Sequence, residues 1–390
     1  MTVRIGLERV LDDCPPALRG RRVGLFTNQA GVDRAMRSGA ERLIERGDVR
    51  LERLFAGEHG LEGDRPAGAA VPSGKDRRTG LDVLSLYGTG ARAGPDPSLL
   101  DGLDAVLVDV PDIGCRYYSR VGVTLSLLAA CRERGVMAWV LDRPNPLGGR
   151  VEGQRAPAPA FASLVGAAPV PMRHGLTLGE IALLGADAAG TRDGLSVVPV
   201  EGWRRSERWP DLGRSWVPLS PNANSYEMAQ VYPGTCLVEG TNLSEGRGTT
   251  LPFVQVGAPW LDGFALARTL NAAGDEGVLF RPVSFVPTQG KHRGETCRGV
   301  MLHVEPGRDV CALPPALHLL EAVLGEPETR LFPAPSAAEG GRATFDLLAG
   351  DDRLRRDLLA RRPVREILDE WVREGADWPE VRASVALYPE

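Results

Sequence analysis

The chain has 390 residues, 43% hydrophobic and 25% charged, with 47 glycines and 31 prolines scattered among periodic segments. That length and balance suit two globular domains and exclude a disordered or fibrous chain. A formal charge of −5, with no long basic run, argues against a nucleic-acid partner, and no stretch approaches the ~20 apolar residues of a membrane span.

The N-terminal MTVRIGLERVLDDC breaks its apolar positions with Arg4, Glu8, Arg9, Asp12 and Asp13. This predicts an amphipathic helix rather than a secretory leader, and a cytoplasmic protein. RVGLFTN (22–28) reads as a strand ending in polar residues, followed by a helical stretch over 33–47. A second strand over 50–56 runs directly into G-E-H-G, and LDVLSLY (81–87) is a third. DAVLVDV (104–110) is a near-continuous apolar run, as a strand buried on both faces requires. A helix over 122–134 and a strand over 136–142, ended by R-P-N-P-L-G-G, follow. Strands alternating with helices imply βαβ units and a parallel sheet.

The composition shifts near residue 150. Short strands at 195–200, 235–239, 278–286 and 298–304 are expected in a mixed arrangement, with helices at 177–189, 260–272 and 315–324. Charged helices over 351–361 and 363–374 close the chain. The predicted fold class is α/β: a parallel-sheet domain over 1–155, then a smaller mixed-sheet α/β domain over 156–390 with C-terminal helices, and a cleft between them.

Ligands of open parallel sheets bind outside the carboxyl ends of the strands. The polar residues expected there are Thr27 and Asn28, Glu58 and His59, Asp109 and Asp112, and Asp142, Arg143 and Asn145. All should face one crevice. Glu58 lies in G-E-H-G, where glycines permit unusual dihedrals and close approach to a ligand, so its carboxylate suits general acid or base work. The alternative is a turn whose Glu caps the next helix, with His59 an ordinary hydrogen-bonded side chain. Asp109 and Asp112 suit an acid–base pair, a Mg²⁺ site or sugar hydroxyls, or else an Asx-turn and an arginine partner. Arg116, Tyr117 and Tyr118 follow them, and aromatics beside carboxylates suit a sugar. V-E-G-T-N-L-S-E-G-R-G-T-T (238–250) gathers Glu239, Thr241, Asn242, Ser244, Glu245 and Arg247 in a loop able to ring a polar ligand. His292, next to Lys291, is a further candidate.

The six cysteines form no C-x-x-C pair and read as buried reduced thiols. Zinc-ligand spacings, a dinucleotide fingerprint, a phosphate-binding P-loop and a G-x-S-x-G elbow do not occur, so neither metal nor cofactor is expected.

The ordered motifs RVGLFTNQAGVD, AGEHGLEGD, TGLDVLSLYG, VDVPDIGCRYYS, LDRPNPLGG, RHGLTLGE, YPGTCLVEGTNLSEGRGTT and KHRGETCRGV resemble those of the NamZ-like exo-β-N-acetylmuramidases. The resemblance runs from about residue 5 to the final helices. It implies a Rossmann-like domain plus a smaller second domain, and release of terminal β-linked N-acetylmuramic acid from the non-reducing end of peptidoglycan fragments. Glu58 is then catalytic, with Asp109 and Glu245 as candidate second carboxylates. Asn28, His59, Asp112, Arg116, Tyr118, Arg143, Asn145, Glu239, Thr241, Asn242, Arg247 and His292 are candidate substrate contacts. One departure stands out. The family typically reads I-Q-D-V-G-A-R-F-Y-T where this chain has V-P-D-I-G-C-R-Y-Y-S, so Pro111 replaces a polar side chain beside Asp112. An amino-sugar glycosidase of the same fold and a non-catalytic carbohydrate-binding protein are the alternatives.

Overall fold

The structure, a computed structural model, describes residues 2–87, 94–330 and 342–390. Its first body is a seven-stranded sheet built from β1 (Arg22–Thr27), β2 (Arg50–Ala56), β3 (Gly74–Lys75), β4 (Asp82–Ser85), β5 (Ala105–Asp109), β6 (Met137–Leu141) and β7 (Leu195–Val198). The order is β3-β4-β2-β1-β5-β6-β7, parallel throughout except for the short edge strand β3. The six parallel strands follow the doubly wound order, whose direction of travel reverses between β1 and β5.

The apolar runs of β1 and β5 make sense because both faces are covered. Val23 and Leu25 of β1, with Ala105 and Leu107 of β5, pack on one face against Leu7, Val10 and Leu11 of α1 (Gly6–Asp12) and Leu43 of α2 (Gly39–Arg46). Phe26, Val106 and Val108 face the other way, onto Val121 and Leu127 of α3 (Ser119–Arg134) and Ile181 and Ala182 of α4 (Leu178–Ala188). The period of two that assigns alternate residues to opposite layers is thus visible within single strands.

The expected boundary at residue 155 falls inside this body. The segment predicted as a strand of the second domain, 195–200, is β7 and pairs in parallel with β6 through Ala138↔Leu195 to Leu141↔Val198. Its short apolar stretch gave no sign of which sheet it would join. The chain end returns as well: Trp378 and Val385 of α11 (Trp378–Val385) bury in the layer of α3 and α4, and the Tyr388 hydroxyl donates to Asp142 Oδ2 at 2.5 Å.

The second body carries a three-stranded antiparallel sheet, in the order β8-β10-β9, of β8 (Gln255–Ala258), β9 (Val278–Phe285) and β10 (Cys297–Val304). Around it lie α5 (Tyr226–Thr235), α6 (Gly263–Ala273), α7 (Leu313–Val323), α8 (Thr344–Ala349), α9 (Arg353–Leu359) and α10 (Val364–Glu374), which share one core. The strand expected over 235–239 is instead the end of α5 and a 3₁₀ turn over Cys236–Gly240. A short apolar run does not distinguish strand from helix. Packing decides it here: a Cβ on Gly240 would lie 2.5 Å from the backbone of Phe345 in α8, so only glycine lets the two segments close.

Among the described residues, no helix is long and apolar enough to cross a membrane.

Candidate active site

The turn after β2 is built around Glu58 and His59. His59 sits at φ 72°, in the left-handed region that a non-glycine residue adopts at a cost, and Gly60 follows at φ 79°. The His59 Nδ1, 2.8 Å from the Arg65 carbonyl oxygen, holds the ring in place. An Nδ1–H donating to that carbonyl leaves Nε2 as the free, basic nitrogen. Burial keeps the imidazole below its ordinary pKa; the positive charges of Arg120 and Arg247 add to this, against the opposing pull of Glu58. The charge of Arg247, in the 238–250 loop of the second body, is thus felt at His59. Glu58 itself is half-buried. Its Oε1 accepts from the Gly68 N–H at 3.1 Å, and the Tyr87 hydroxyl lies near it, with a pKa raised by burial and then by the charge of Glu58.

In the 238–250 loop, Arg247 donates to Glu239 Oε1 at 2.9 Å and lies 3.5 Å from Glu245 Oε1. Its guanidinium stacks 5.0 Å from the centre of the Phe253 ring. Lys291 Nζ donates to the carbonyls of Val238, Glu239 and Leu243 and approaches Glu245 Oε2 at 3.1 Å. Glu239 and Glu245 are therefore held by two cations at the mouth of the loop. Thr241 serves the loop rather than a ligand: it donates to the Val238 carbonyl and accepts from the Leu243 N–H. The Asn242 side chain pairs with the backbone of Glu328 and Arg330, and its carbonyl accepts from His292 Nε2 at 2.7 Å. His292 also stacks on Trp260, 5.2 Å between ring centres. These three engage protein, not open space.

The rim after β5 and β6 corrects the expectation of one shared crevice. Asp109 is fully buried and bonds Arg143 Nε at 2.7 Å, while Arg143 Nη2 donates to the Val32 carbonyl. Burial and that pair argue against Asp109 as a second catalytic carboxylate, although its Oδ2 has no partner. Arg116, 0% exposed, donates to the carbonyls of Gln154, Val170, Leu348 and Ala349 and to the Gln154 side chain. It ties the two bodies together and has no face left for a ligand. Asn145 closes an Asx-turn on Leu147 N–H and donates to the Leu176 carbonyl. Asn28 likewise accepts from Ala30 N–H and donates to the Leu219 carbonyl. Asp142 holds the start of α4 through Thr177 and Gly179, and burial pushes its carboxyl up to about 6.

Asp112 keeps an intermediate status. Its Oδ2 accepts from Gly114 N–H and lies 3.3 Å from His174 Nε2, but its buried Oδ1 has no partner. It lines a cavity with Pro111, Arg143, Trp209 and Trp216. Tyr118 packs edge-on against Tyr232, 6.1 Å between ring centres, its hydroxyl near Ser220 and Arg120. The sequence reading missed Tyr87, Arg120, and Lys291 as a hub. Nothing local marks them; their roles come from partners 29 to 99 positions away or from a charge left unmatched.

No group of three or more His, Cys, Asp or Glu able to hold a metal occurs among the described residues.

Comparison with known proteins agrees over the whole length. The N-terminal and C-terminal domain profiles of exo-β-N-acetylmuramidase NamZ match residues 23–227 and 230–388. The chain is 37% identical to the peptidoglycan β-N-acetylmuramidase NamZ of Bacillus subtilis, covering 99% of this chain and 91% of the relative. Two crystal structures of DUF1343-family proteins from Bacteroides fragilis share the fold. One superposes with a TM-score of 0.86 at 29% identity, covering 99% of both chains, and the other with 0.76 at 25%, covering all of both. With profiles spanning nearly every residue and the α/β architecture in common, the chain belongs to the NamZ exo-β-N-acetylmuramidase family.

Proposed function

We propose that this protein is a glycoside hydrolase that releases terminal, non-reducing β-linked N-acetylmuramic acid from peptidoglycan fragments, with Glu58 as its acid–base residue. The observation that carries the reading is Glu58, half-buried, in a strained turn at the end of β2. A carboxylic acid there gives its proton to the glycosidic oxygen as the C1–O bond breaks and its electron pair leaves with that oxygen. Water supplies hydroxide to C1, and its remaining proton restores the acid. The Gly68 N–H orients the carboxylate, and Tyr87 stands beside it. His59, next in sequence, is favoured in its neutral form by burial and held through Nδ1, which leaves Nε2 as the hydrogen-bond acceptor. Glu245 and Glu239, fixed by Arg247 and Lys291, are the carboxylates in position to stabilise the positive charge that develops on the sugar.

The test is hydrolysis of chromogenic β-N-acetylmuramide and β-N-acetylglucosaminide in parallel. Release from the muramide alone is the expected result. Release from the glucosaminide makes the protein an amino-sugar glycosidase of other specificity, and release from neither leaves a carbohydrate-binding protein.

A further inference from the structure

Four arginines are at most 2% exposed among the described residues: Arg116, Arg120, Arg173 and Arg205. Three have carboxylate partners or several carbonyl acceptors, although in each the Nε has no hydrogen-bond partner. Arg116 holds carbonyls of both bodies, Arg173 pairs with Glu152 and Asp309, and Arg205 pairs with Glu180. Arg120 is the exception. It has a single 3.3 Å hydrogen bond to the Leu219 carbonyl, which already accepts from Asn28, and its Nη1 has no partner. It forms no ion pair among the described residues. It also stands in the first turn of α3, where the helix dipole disfavours a cation. A buried, unmatched guanidinium at a positive helix end is costly to fold, and nothing in the scaffold repays it.

Its surroundings show which anion would. A Cβ placed on Gly57, the residue before Glu58, would lie 3.4 Å from Arg120 Nη1. The absent side chain therefore leaves the guanidinium separated from the catalytic turn by backbone alone. The charge of Arg120 also acts on His59 and on the Tyr118 hydroxyl. The guanidinium therefore lies directly behind the turn that carries Glu58, with its unpartnered Nη1 buried against Gly57. N-acetylmuramic acid differs from N-acetylglucosamine by a lactyl ether that carries a carboxylate. An anion brought beside Glu58 needs a cation to offset repulsion and desolvation, and a guanidinium with a free terminal nitrogen is suited to it. The other arginines of the rim already hold partners: Arg143 has Asp109, and Arg247 has Glu239 and Glu245.

We infer that Arg120 is the specificity determinant of the site: its Nη1 receives the lactyl carboxylate of the muramyl residue, past Gly57. This rests on Glu58 marking the sugar site. The test is calorimetric binding of N-acetylmuramic acid and of N-acetylglucosamine, which decides Arg120 whether or not turnover is seen. The wild type should bind the acid about 10- to 100-fold more tightly, the scale of a charge-assisted hydrogen bond. In Arg120→Gln that preference should fall to a few-fold, with N-acetylglucosamine binding unchanged. Gly57→Ala keeps the charge but sets a methyl against Nη1, and should lose the same preference. Because Arg120→Gln removes an uncompensated charge, its melting temperature should hold or rise, whereas loss of a scaffold arginine lowers it. An intact preference in both variants, or equal weakening for both sugars, overturns the inference. A wild type that discriminates between the sugars and hydrolyses neither overturns the muramidase reading alone.

Discussion

The strand ends of the first sheet carry two kinds of polar rim. After β5 and β6, the main polar side chains are engaged by protein: Asp109 has Arg143, Asn145 has Leu147 and Leu176, and Arg116 has four carbonyls, although Asp109 Oδ2, Asp112 Oδ1 and Arg116 Nε stay buried without a partner. After β2, the opposite holds. Glu58 has one backbone donor and a tyrosine, His59 has one ring nitrogen engaged, and Arg120 beneath them has a free Nη1. The residue types are the same on both rims. What separates scaffold from site is how the carboxylates are neutralised: Asp109 is paired with a largely buried arginine, whereas Glu58 forms no ion pair among the described residues.

The largest effect should come from the open rim. Glu58→Gln should cost about 10²- to 10⁴-fold in turnover, the usual range for general acid–base catalysis, with a melting temperature close to the wild type. Near wild-type hydrolysis by the purified variant would break the comparison at its strongest point.

The closed rim should show the reverse signature. Asp109→Ala leaves Arg143, about 10% exposed, without its counter-ion. Losing one partner of a buried pair costs about 3–5 kcal/mol of unfolding free energy, readable by urea denaturation. Turnover per folded molecule should stay within a few-fold. A stable Asp109→Ala enzyme that no longer turns over would put Asp109 back among the catalytic residues. Asn145→Ala should follow the same pattern at smaller size. It strands the Leu147 N–H and the Leu176 carbonyl, for about 1–3 kcal/mol, and a loss confined to kcat would contradict the assignment.

This contrast also explains what could be read from the residues alone. The runs RVGLFT, RLERLFA and AVLVD announce their strands because buried parallel strands have little freedom in composition. G-E-H-G was legible because glycines flanking a carboxylate at a strand end are unusual. β7 could not be assigned to its sheet, since four residues of ordinary apolar pattern carry no information about their neighbours. Arg116 and Asp109 were overvalued for a related reason: position at a strand end is local, whereas being sealed depends on Leu348, Ala349 and Arg143, remote in sequence. Arg120 was invisible because its distinguishing feature is a missing counter-ion.

The smallest effect separates two histidines of the two bodies. His318 of α7 bonds the Asp275 carboxylate through Nδ1 at 3.0 and 3.1 Å, and this raises its pKa above the ordinary 6.5, against burial. His59 is shifted below 6.5 by burial. Their linkages to stability have opposite signs. For His318, the protonated folded form is favoured, so its contribution is fully present below about pH 6.5 and disappears as pH rises through the folded value. For His59, the neutral folded form is favoured, so stability is greatest above pH 6.5 and falls as pH drops toward its depressed value. His318→Gln should therefore be less stable than the wild type at pH 5.5, by no more than about 1 kcal/mol for a partly exposed pair. That gap should narrow by pH 8.5 in urea titrations of both proteins. A gap that does not change with pH would mean that His318 contributes packing rather than charge.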